Sequence, residues 1–110
     1  MTTTHIFSDS NFQTEVIEHS RQQPVLVDFT AVWCSPCKML DPVVEKLTVE
    51  WGGAVRVGKL DIDENIEMTE TYGVMGVPTL ILFRNGKPAE RLMGYMPRER
   101  ILAKLTPHLR

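Results

Sequence analysis

The most informative part of the sequence is PVLVDFTAVWCSPCK, residues 24–38. It begins with a short apolar run, rich in β-branched residues, that contains one acid, Asp28. A run of this kind is typical of a central strand that is buried on both faces. The residues that follow, 34–50, have a helical pattern, so Cys34 and Cys37 fall where a buried strand passes into a helix.

Strand and helix patterns alternate along the rest of the chain. Asn85-Gly86 is the strongest short hairpin signal and predicts that the last two strands are antiparallel. Crossovers between parallel strands place helices on both faces of a sheet. We therefore predict an α/β fold, a mixed β-sheet of about five strands flanked by helices, in a single domain over residues 1–110. The expected elements are strands at 5–7, 24–30, 55–62, 80–83 and 89–93, and helices after the capping residues 8–11, over 34–50 with a kink at Pro42, over 64–72, and from Pro97 onward.

The composition excludes several classes of function. The 110 residues carry a formal net charge of −2, which leaves no basic footprint for nucleic acid. No apolar run reaches the roughly 18 residues that a membrane span needs. The first fifteen residues lack the basic and apolar regions of a secretory signal, so we expect a cytoplasmic protein. Nothing in the sequence argues for an obligate oligomer, and we expect a monomer.

Cys34 and Cys37 are the only cysteines, and their spacing indicates chemistry rather than architecture. A structural disulfide stabilises most when it closes a long loop, and this pair would close almost none. The positive partial charge at a helix N-terminus favours the thiolate form of Cys34. Cys37 lies about one turn further on, close enough for a disulfide. Pro36 suits the opening turn because its missing N–H would be unpaired there anyway.

A zinc site is the alternative for such a pair. Structural zinc normally takes four ligands, whereas this chain adds only His5, His19 and His108, which belong to other segments. A C-x-x-C beside a βαβ pattern favours thiol–disulfide exchange, in which one exposed, ionised sulfur attacks and a second resolves the mixed disulfide.

Segments on both sides of the cysteine pair form one recognisable set. They are Asp28-Phe29, Trp33-Cys34-Ser35-Pro36-Cys37-Lys38, Pro42, Lys59-Leu60-Asp61-Ile62-Asp63, Tyr72-Gly73-Val74, Gly76-Val77-Pro78-Thr79 and Gly94. This set extends over essentially the whole chain and resembles the thioredoxin family. The resemblance implies the thioredoxin fold.

Asp28 and Lys59 are candidates for proton transfer. Asp28 is an acid among Val, Leu and Phe, so burial should raise its pKa. The resemblance implies that Asp28 lies beneath the disulfide and relays a proton to or from Cys37. It also implies that Lys59, on the neighbouring strand, lies near that acid; without the resemblance Lys59 would be interpreted as an ordinary solvated lysine.

The resemblance also implies a docking surface around Cys34. It implies a cis bond between Val77 and Pro78 that faces Cys34 and leaves the Val77 backbone free to pair with an extended substrate strand. Small residues at Gly76 and Gly94 would let a partner backbone approach closely. The six methionines are expected to be core filler rather than part of a binding surface. The expected docking residues are Trp33, Ile62, Gly76, Val77, Gly94 and Tyr95.

Two residues depart from the pattern of the family. Ser35 stands where most thioredoxins have Gly, between the cysteines, where it could stabilise the Cys34 thiolate by a hydrogen bond and make the protein a stronger oxidant. We group Ser35 with Pro36 and Pro78 as residues that tune the redox potential. Thr30 replaces a tryptophan common in the family and should loosen the packing near the site.

These observations predict a protein-disulfide reductase in which Cys34 is the nucleophile and Cys37 the resolving cysteine. The resemblance implies no bound cofactor and implies regeneration by a flavin-containing thioredoxin reductase that draws electrons from NADPH. The other expected partners are disulfide-containing proteins. Two alternatives remain: a disulfide oxidase or isomerase, and a non-catalytic subunit that docks a partner through the same apolar surface.

Overall fold

A mixed sheet of five strands forms the centre of the computed structural model, which describes residues 4–110. The first, third and second strands are parallel neighbours, and the fourth and fifth pair antiparallel at the other side. This confirms the predicted mixed sheet. The strands are β1 (His5–Ile6), β2 (Val25–Thr30), β3 (Arg56–Asp61), β4 (Thr79–Arg84) and β5 (Lys87–Met93), in the spatial order β1-β3-β2-β4-β5.

Helices lie on both faces of the sheet, as predicted. The apolar residues of β2 alternate, so that Leu26 packs with the long helix on one face, while Val25, Val27 and Phe29 pack with helical residues on the other. Each face of the sheet therefore has its own cluster of buried residues, and a third, smaller cluster contains the cysteine pair. The helices are a π-helical turn (Gln13–Glu18) that continues as a 3₁₀ turn (His19–Arg21), α1 (Ser35–Trp51), α2 (Ile66–Thr71), α3 (Arg98–Leu105) and a final 3₁₀ turn (Thr106–His108).

Turn chemistry explains where several elements end. Asn85 and Gly86 both have positive φ, 53° and 81°, as the predicted two-residue hairpin between β4 and β5 requires. α1 runs continuously through Pro42 and ends at Gly52, which has a left-handed conformation. Pro97 is the N-cap of α3, one residue before the helix, rather than its first helical residue.

The predicted caps at residues 8–11 do not cap the helix that follows them. The first helical residues have Phe12 at the N-cap and no side-chain cap. The side chain of Asn11 instead accepts a hydrogen bond from the amide of Ser8 at 2.8 Å. The carboxylate of Asp9 accepts hydrogen bonds from the amides of Glu67 and Met68, in the first turn of α2. Of these polar side chains, that of Asp9 therefore caps a helix nearly sixty residues away in sequence.

Strand register brings the acid of β2 next to the lysine of β3. Asp28 pairs with Lys59 on one side and with Leu80 of β4 on the other. Asp28 shares its sheet face with Leu26, two residues earlier, and this is the face that α1 covers. The carboxyl end of β2 is followed after three residues by Cys34, so Asp28 lies on the α1 side of the sheet and six residues before the cysteine pair.

Candidate active site

Cys34 is the N-cap residue of α1. Its backbone is extended, with φ −92° and ψ 109°, and its Sγ accepts a hydrogen bond from the amide of Cys37 at 3.2 Å. That amide is one of the helix-opening N–H groups that have no partner within a helix. An N–H donor and the positive end of the helix both stabilise negative charge on this sulfur. The local geometry therefore favours the thiolate of Cys34 once the pair is reduced.

Cys34 and Cys37 form a disulfide, with their Cα atoms 5.3 Å apart. Both cysteines are buried, and they pack with Ala31 and with the partly buried side chains of Ile62 and Val77. The predicted disulfide pairing is therefore confirmed. The Cα separation of the two cysteines lies within the range that disulfides in proteins require.

The loop before β4 lies against this disulfide. The Val77–Pro78 bond is cis, as the resemblance implied. The carbonyl oxygen of Val77 lies 3.6 Å from Sγ of Cys34. The amide of Gly94 donates a hydrogen bond to the carbonyl of Pro78 at 2.8 Å, which fastens the end of β5 to the same loop. The loop that contains Val77 and Pro78, more than forty residues from Cys34 in sequence, thus lies next to Sγ of Cys34.

Asp28 is a buried carboxyl group, with 1% of its surface exposed. Among residues 4–110, no group forms a hydrogen bond with its Oδ1. Desolvation by burial raises the pKa of Asp28 to about 7; the Lys59 ammonium opposes this rise and the Asp41 carboxylate adds to it. The predicted burial and raised pKa are both confirmed. A group with such a pKa can accept and return a proton near neutral pH.

Lys59 forms an ion pair with an acid that our sequence reasoning did not identify. Its Nζ lies 2.9 Å from Oδ1 of Asp41, although the contact does not have hydrogen-bond geometry. Asp41 follows Cys37 by four residues on α1, so both side chains lie on the same helical face. That spacing was the available signal for Asp41, but only the packing of α1 on β3 shows its partner.

A pocket of about 310 Å³ lies beside Cys37. Thr30 is in its wall, at the position where the resemblance predicted a loss of aromatic bulk. The pocket brings charged side chains from α1 and β3 close to Cys37. Its lining includes Thr30, Cys37, Lys38, Asp41, Lys59 and Asp61.

The predicted docking residues lie close to the disulfide or to the segments that contact it. Trp33 is 64% exposed, and its Nε1 donates a hydrogen bond to Asp63 at 2.7 Å. Apart from its two chain neighbours, no residue in the range 4–110 has an atom within 4 Å of a Cβ added at Gly76. Tyr95 is exposed and follows Gly94, whose φ of +83° is one that glycine readily adopts.

Comparison with known proteins agrees with this geometry. The sequence profile described as Thioredoxin matches residues 3–107. Similar proteins named Thioredoxin include one from Alicyclobacillus acidocaldarius subsp. acidocaldarius, which is 45% identical over 103 residues, 94% of this chain and 95% of the relative. Others come from Staphylococcus aureus, 42% identical over 93% of this chain and 94% of the relative, and from Chlorobaculum thiosulfatiphilum, 38% identical over 93% of each.

The chain belongs to the thioredoxin family. With its cysteine pair at disulfide distance, it is a thiol–disulfide oxidoreductase that reduces protein disulfides. Members of this family need no bound cofactor. Within the described range, no group of three or more His, Cys, Asp or Glu side chains is placed to hold a metal ion.

Exposed apolar residues extend the surface beyond the predicted set. Met75 is 97% exposed next to Gly76, and Met93 is exposed next to Gly94. Met39 is also exposed, so the prediction that the methionines are core filler is wrong for these three; Met68 and Met96 are partly buried, and Met1 lies outside the described residues. Hydrophobicity alone could not distinguish exposed from buried methionines, because exposure depends on where each residue lies in the fold. Met75 lies in a loop, Met93 at the end of β5, and Met39 on an exposed face of α1.

The residues between the cysteines are exposed. Pro36 is in the first turn of α1, as predicted. In the part of the chain that the structure describes, the donor to Sγ of Cys34 is the amide of Cys37, and no hydrogen bond of the Ser35 hydroxyl is found. The proposed effect of Ser35 on the redox potential therefore stays a prediction.

Proposed function

We propose that the chain reduces protein disulfides in two steps, with Cys34 as the nucleophile and Cys37 as the resolving cysteine. In the first step the Cys34 thiolate attacks one sulfur of a substrate disulfide. The other substrate sulfur leaves as a thiolate, and a mixed disulfide joins the substrate to Cys34. The hydrogen bond from the Cys37 amide to Sγ of Cys34 supports this assignment, because it stabilises charge on that sulfur.

In the second step Asp28 accepts the proton of the Cys37 thiol, through water. The Cys37 thiolate attacks Sγ of Cys34, and the second substrate sulfur leaves as a thiolate. Two electrons have then passed from the cysteine pair to the substrate, and the chain holds the Cys34–Cys37 disulfide. Burial of Asp28, which raises its pKa to about 7, supports this role, with Lys59 as the nearby cation.

The substrate would lie on the surface formed by Trp33, Ile62, Gly76, Val77, Gly94 and Tyr95. An extended segment would pair with the backbone of Val77, whose carbonyl is already close to Cys34. The exposed side chains of Met75 and Met93 flank this surface and can adapt to different partners because methionine is unbranched and flexible.

Regeneration of the dithiol would come from a flavin-containing thioredoxin reductase that uses NADPH. We place the protein in the cytoplasm as a monomer with a single domain over residues 1–110. Each helix within residues 4–110 is too short or too polar to span a bilayer.

The observation that carries the proposal is the asymmetry of the pair, in which the Cys34 sulfur receives the helix amide. An insulin-reduction assay with single Cys→Ser variants tests it. Cys34→Ser should abolish turnover, and Cys37→Ser should accumulate a mixed disulfide with the substrate. Retained turnover in Cys34→Ser would contradict the proposal. The variant with both Cys34→Ser and Cys37→Ser tests the non-catalytic docking role. That role would be favoured if this variant still bound a partner and still had the same effect on that partner.

A measured reduction potential separates a reductase from an oxidase. A protein-disulfide reductase should have a potential well below that of the glutathione couple used as reference. A potential above it would favour the oxidase or isomerase.

A further inference from the structure

From its position on α1, Asp41 can influence the ionisation of Asp28, the proposed proton acceptor. It lies one helical turn after Cys37 and lines the same pocket. Its carboxylate is 2.9 Å from Nζ of Lys59, and both side chains are only partly exposed, 33% and 25%. An ion pair at this depth is less screened by solvent than one on the open surface.

Lys59 lies between two acids of different burial. In strand register it is directly opposite Asp28, so both side chains project toward α1. Yet its ammonium is paired with Asp41, and among residues 4–110 no group bonds Oδ1 of Asp28. The buried acid therefore lacks the direct ion pair that its register with a lysine would allow.

The other neighbours of Asp28 do not change this distribution of charge. On its other side β4 contributes Leu80, which has no charge. Asp61 also lines the pocket, but its Oδ1 accepts hydrogen bonds from the amides of Asp63 and Glu64 at 2.8 and 3.2 Å. Lys38 lies in the pocket wall, exposed. The charges that act on Asp28 are therefore those of Lys59 from β3 and Asp41 from α1.

We propose that Asp41 is a positioning residue that holds the Lys59 ammonium in the pocket and so withholds that cation from Asp28. The consequence for the reaction rests on the proposed role of Asp28. A buried carboxylate with a close ammonium partner would stay ionised and be a weak base. With the ammonium held by Asp41, Asp28 remains able to take the proton of Cys37 and to release it near neutral pH.

Asp41→Asn tests the proposal, because it keeps the shape of the side chain and removes the charge. The titration of the Asp28 carboxyl is followed by NMR in the oxidised protein. We expect its midpoint to fall by about 0.5–1 pH unit, as the like charge disappears and the ammonium becomes free to approach Asp28. Asp41→Glu keeps a carboxylate within reach of Lys59 and should stay near the wild-type midpoint.

Two further variants make the test specific. Glu45→Gln removes one carboxylate from an exposed position of the same helix and should leave the midpoint unchanged. In a Lys59→Met background, Asp41→Asn should lower the midpoint by half as much or less, since no ammonium is left to move. An unchanged midpoint in Asp41→Asn, or an equal fall with and without Lys59, would overturn the proposal.

The pH profile of insulin reduction separates this inference from the proposed function. If both are right, Asp41→Asn shifts the acid limb of the rate to lower pH by the same amount as the titration. A shifted titration with an unshifted rate profile supports the role of Asp41 and contradicts Asp28 as the proton acceptor. An Asp28→Asn variant that keeps the acid limb unchanged would contradict that proton role independently.

Discussion

The amide of Cys37 donates a hydrogen bond to Sγ of Cys34, the N-cap residue of α1. Cys34 and Cys37 are only 3% and 2% exposed, so the exposure expected of the attacking sulfur is not found and does not distinguish the two cysteines. Their positions distinguish them. The Cys34 sulfur accepts a hydrogen bond from an N–H group of the first helical turn, whereas Cys37 lies within the helix. Such a difference in electrostatic environment predicts a difference in reactivity.

In the reduced protein, iodoacetamide at about pH 7 should alkylate Cys34 roughly tenfold faster than Cys37, because alkylation requires the thiolate. Peptide mapping by mass spectrometry measures the two rates. Cys37→Ser is the control, since it removes the slower site and should leave one fast-reacting cysteine. Equal rates at the two positions would show that the helix amide does not set the order of reaction.

Burial of Asp28 should make stability depend on pH. Its pKa is raised from an ordinary 3.8 to about 7, so between these values the folded chain binds a proton that the unfolded chain has released. Stability therefore falls as pH rises through this window, and the full penalty, of the order of 4 kcal/mol, is present above about pH 7.

Asp28→Asn should remove most of that penalty. We expect the variant to be more stable than the wild type by about 2–4 kcal/mol at pH 8. At pH 4 the difference should be less than about 1 kcal/mol, because the acid is neutral in the folded chain and only about half ionised in the unfolded chain. Urea unfolding of the oxidised proteins measures this. Exposed Glu45→Gln should show no such pH dependence. A variant that is less stable than the wild type at pH 8 would mean that ionised Asp28 has a partner.

Local patterns were sufficient to predict much of this molecule. The β-branched run before Cys34, the Asn85-Gly86 turn and the cysteine spacing each involve a few neighbouring residues, and the structure has the strand, the hairpin and the disulfide there. Relationships across the fold were not predictable in this way. Asp9 caps α2 and Asp41 pairs with Lys59 only because separate elements pack together.

The exposure of individual side chains was the second property that local sequence patterns could not predict. Nothing in the local sequence sets Met75 and Met93 apart from other methionines, and methionine is usually a core residue. The structure exposes both because one lies in the loop before Gly76 and the other at the end of edge strand β5. Strand order and loop path, which set this exposure, depend on the whole chain.

Ser35→Gly tests whether the residue between the cysteines sets the redox potential. If the serine stabilises the reduced form, its removal should lower the potential by about 10–30 mV, up to roughly 1.4 kcal/mol for a two-electron couple. Equilibration with glutathione buffers measures it. Ser10→Gly, the same substitution at an exposed position in another segment, is the control. An unchanged potential in Ser35→Gly would contradict the hypothesis.

Trp33→Ala should distinguish docking from chemistry. The indole is mostly exposed and is held by Asp63 beside the disulfide, so it can contribute contact area to a protein substrate. We expect its loss to raise KM for insulin about three- to tenfold, a cost of about 1 kcal/mol, with kcat little changed. Reduction of a small aromatic disulfide should be nearly unaffected, because such a substrate needs only the sulfur. Val49→Ala, an exposed apolar truncation near the other end of α1, should leave both reactions unchanged. Equal losses for the two substrates in Trp33→Ala would mean that the indole supports Cys34 itself, and the docking surface would then have to be assigned to other residues.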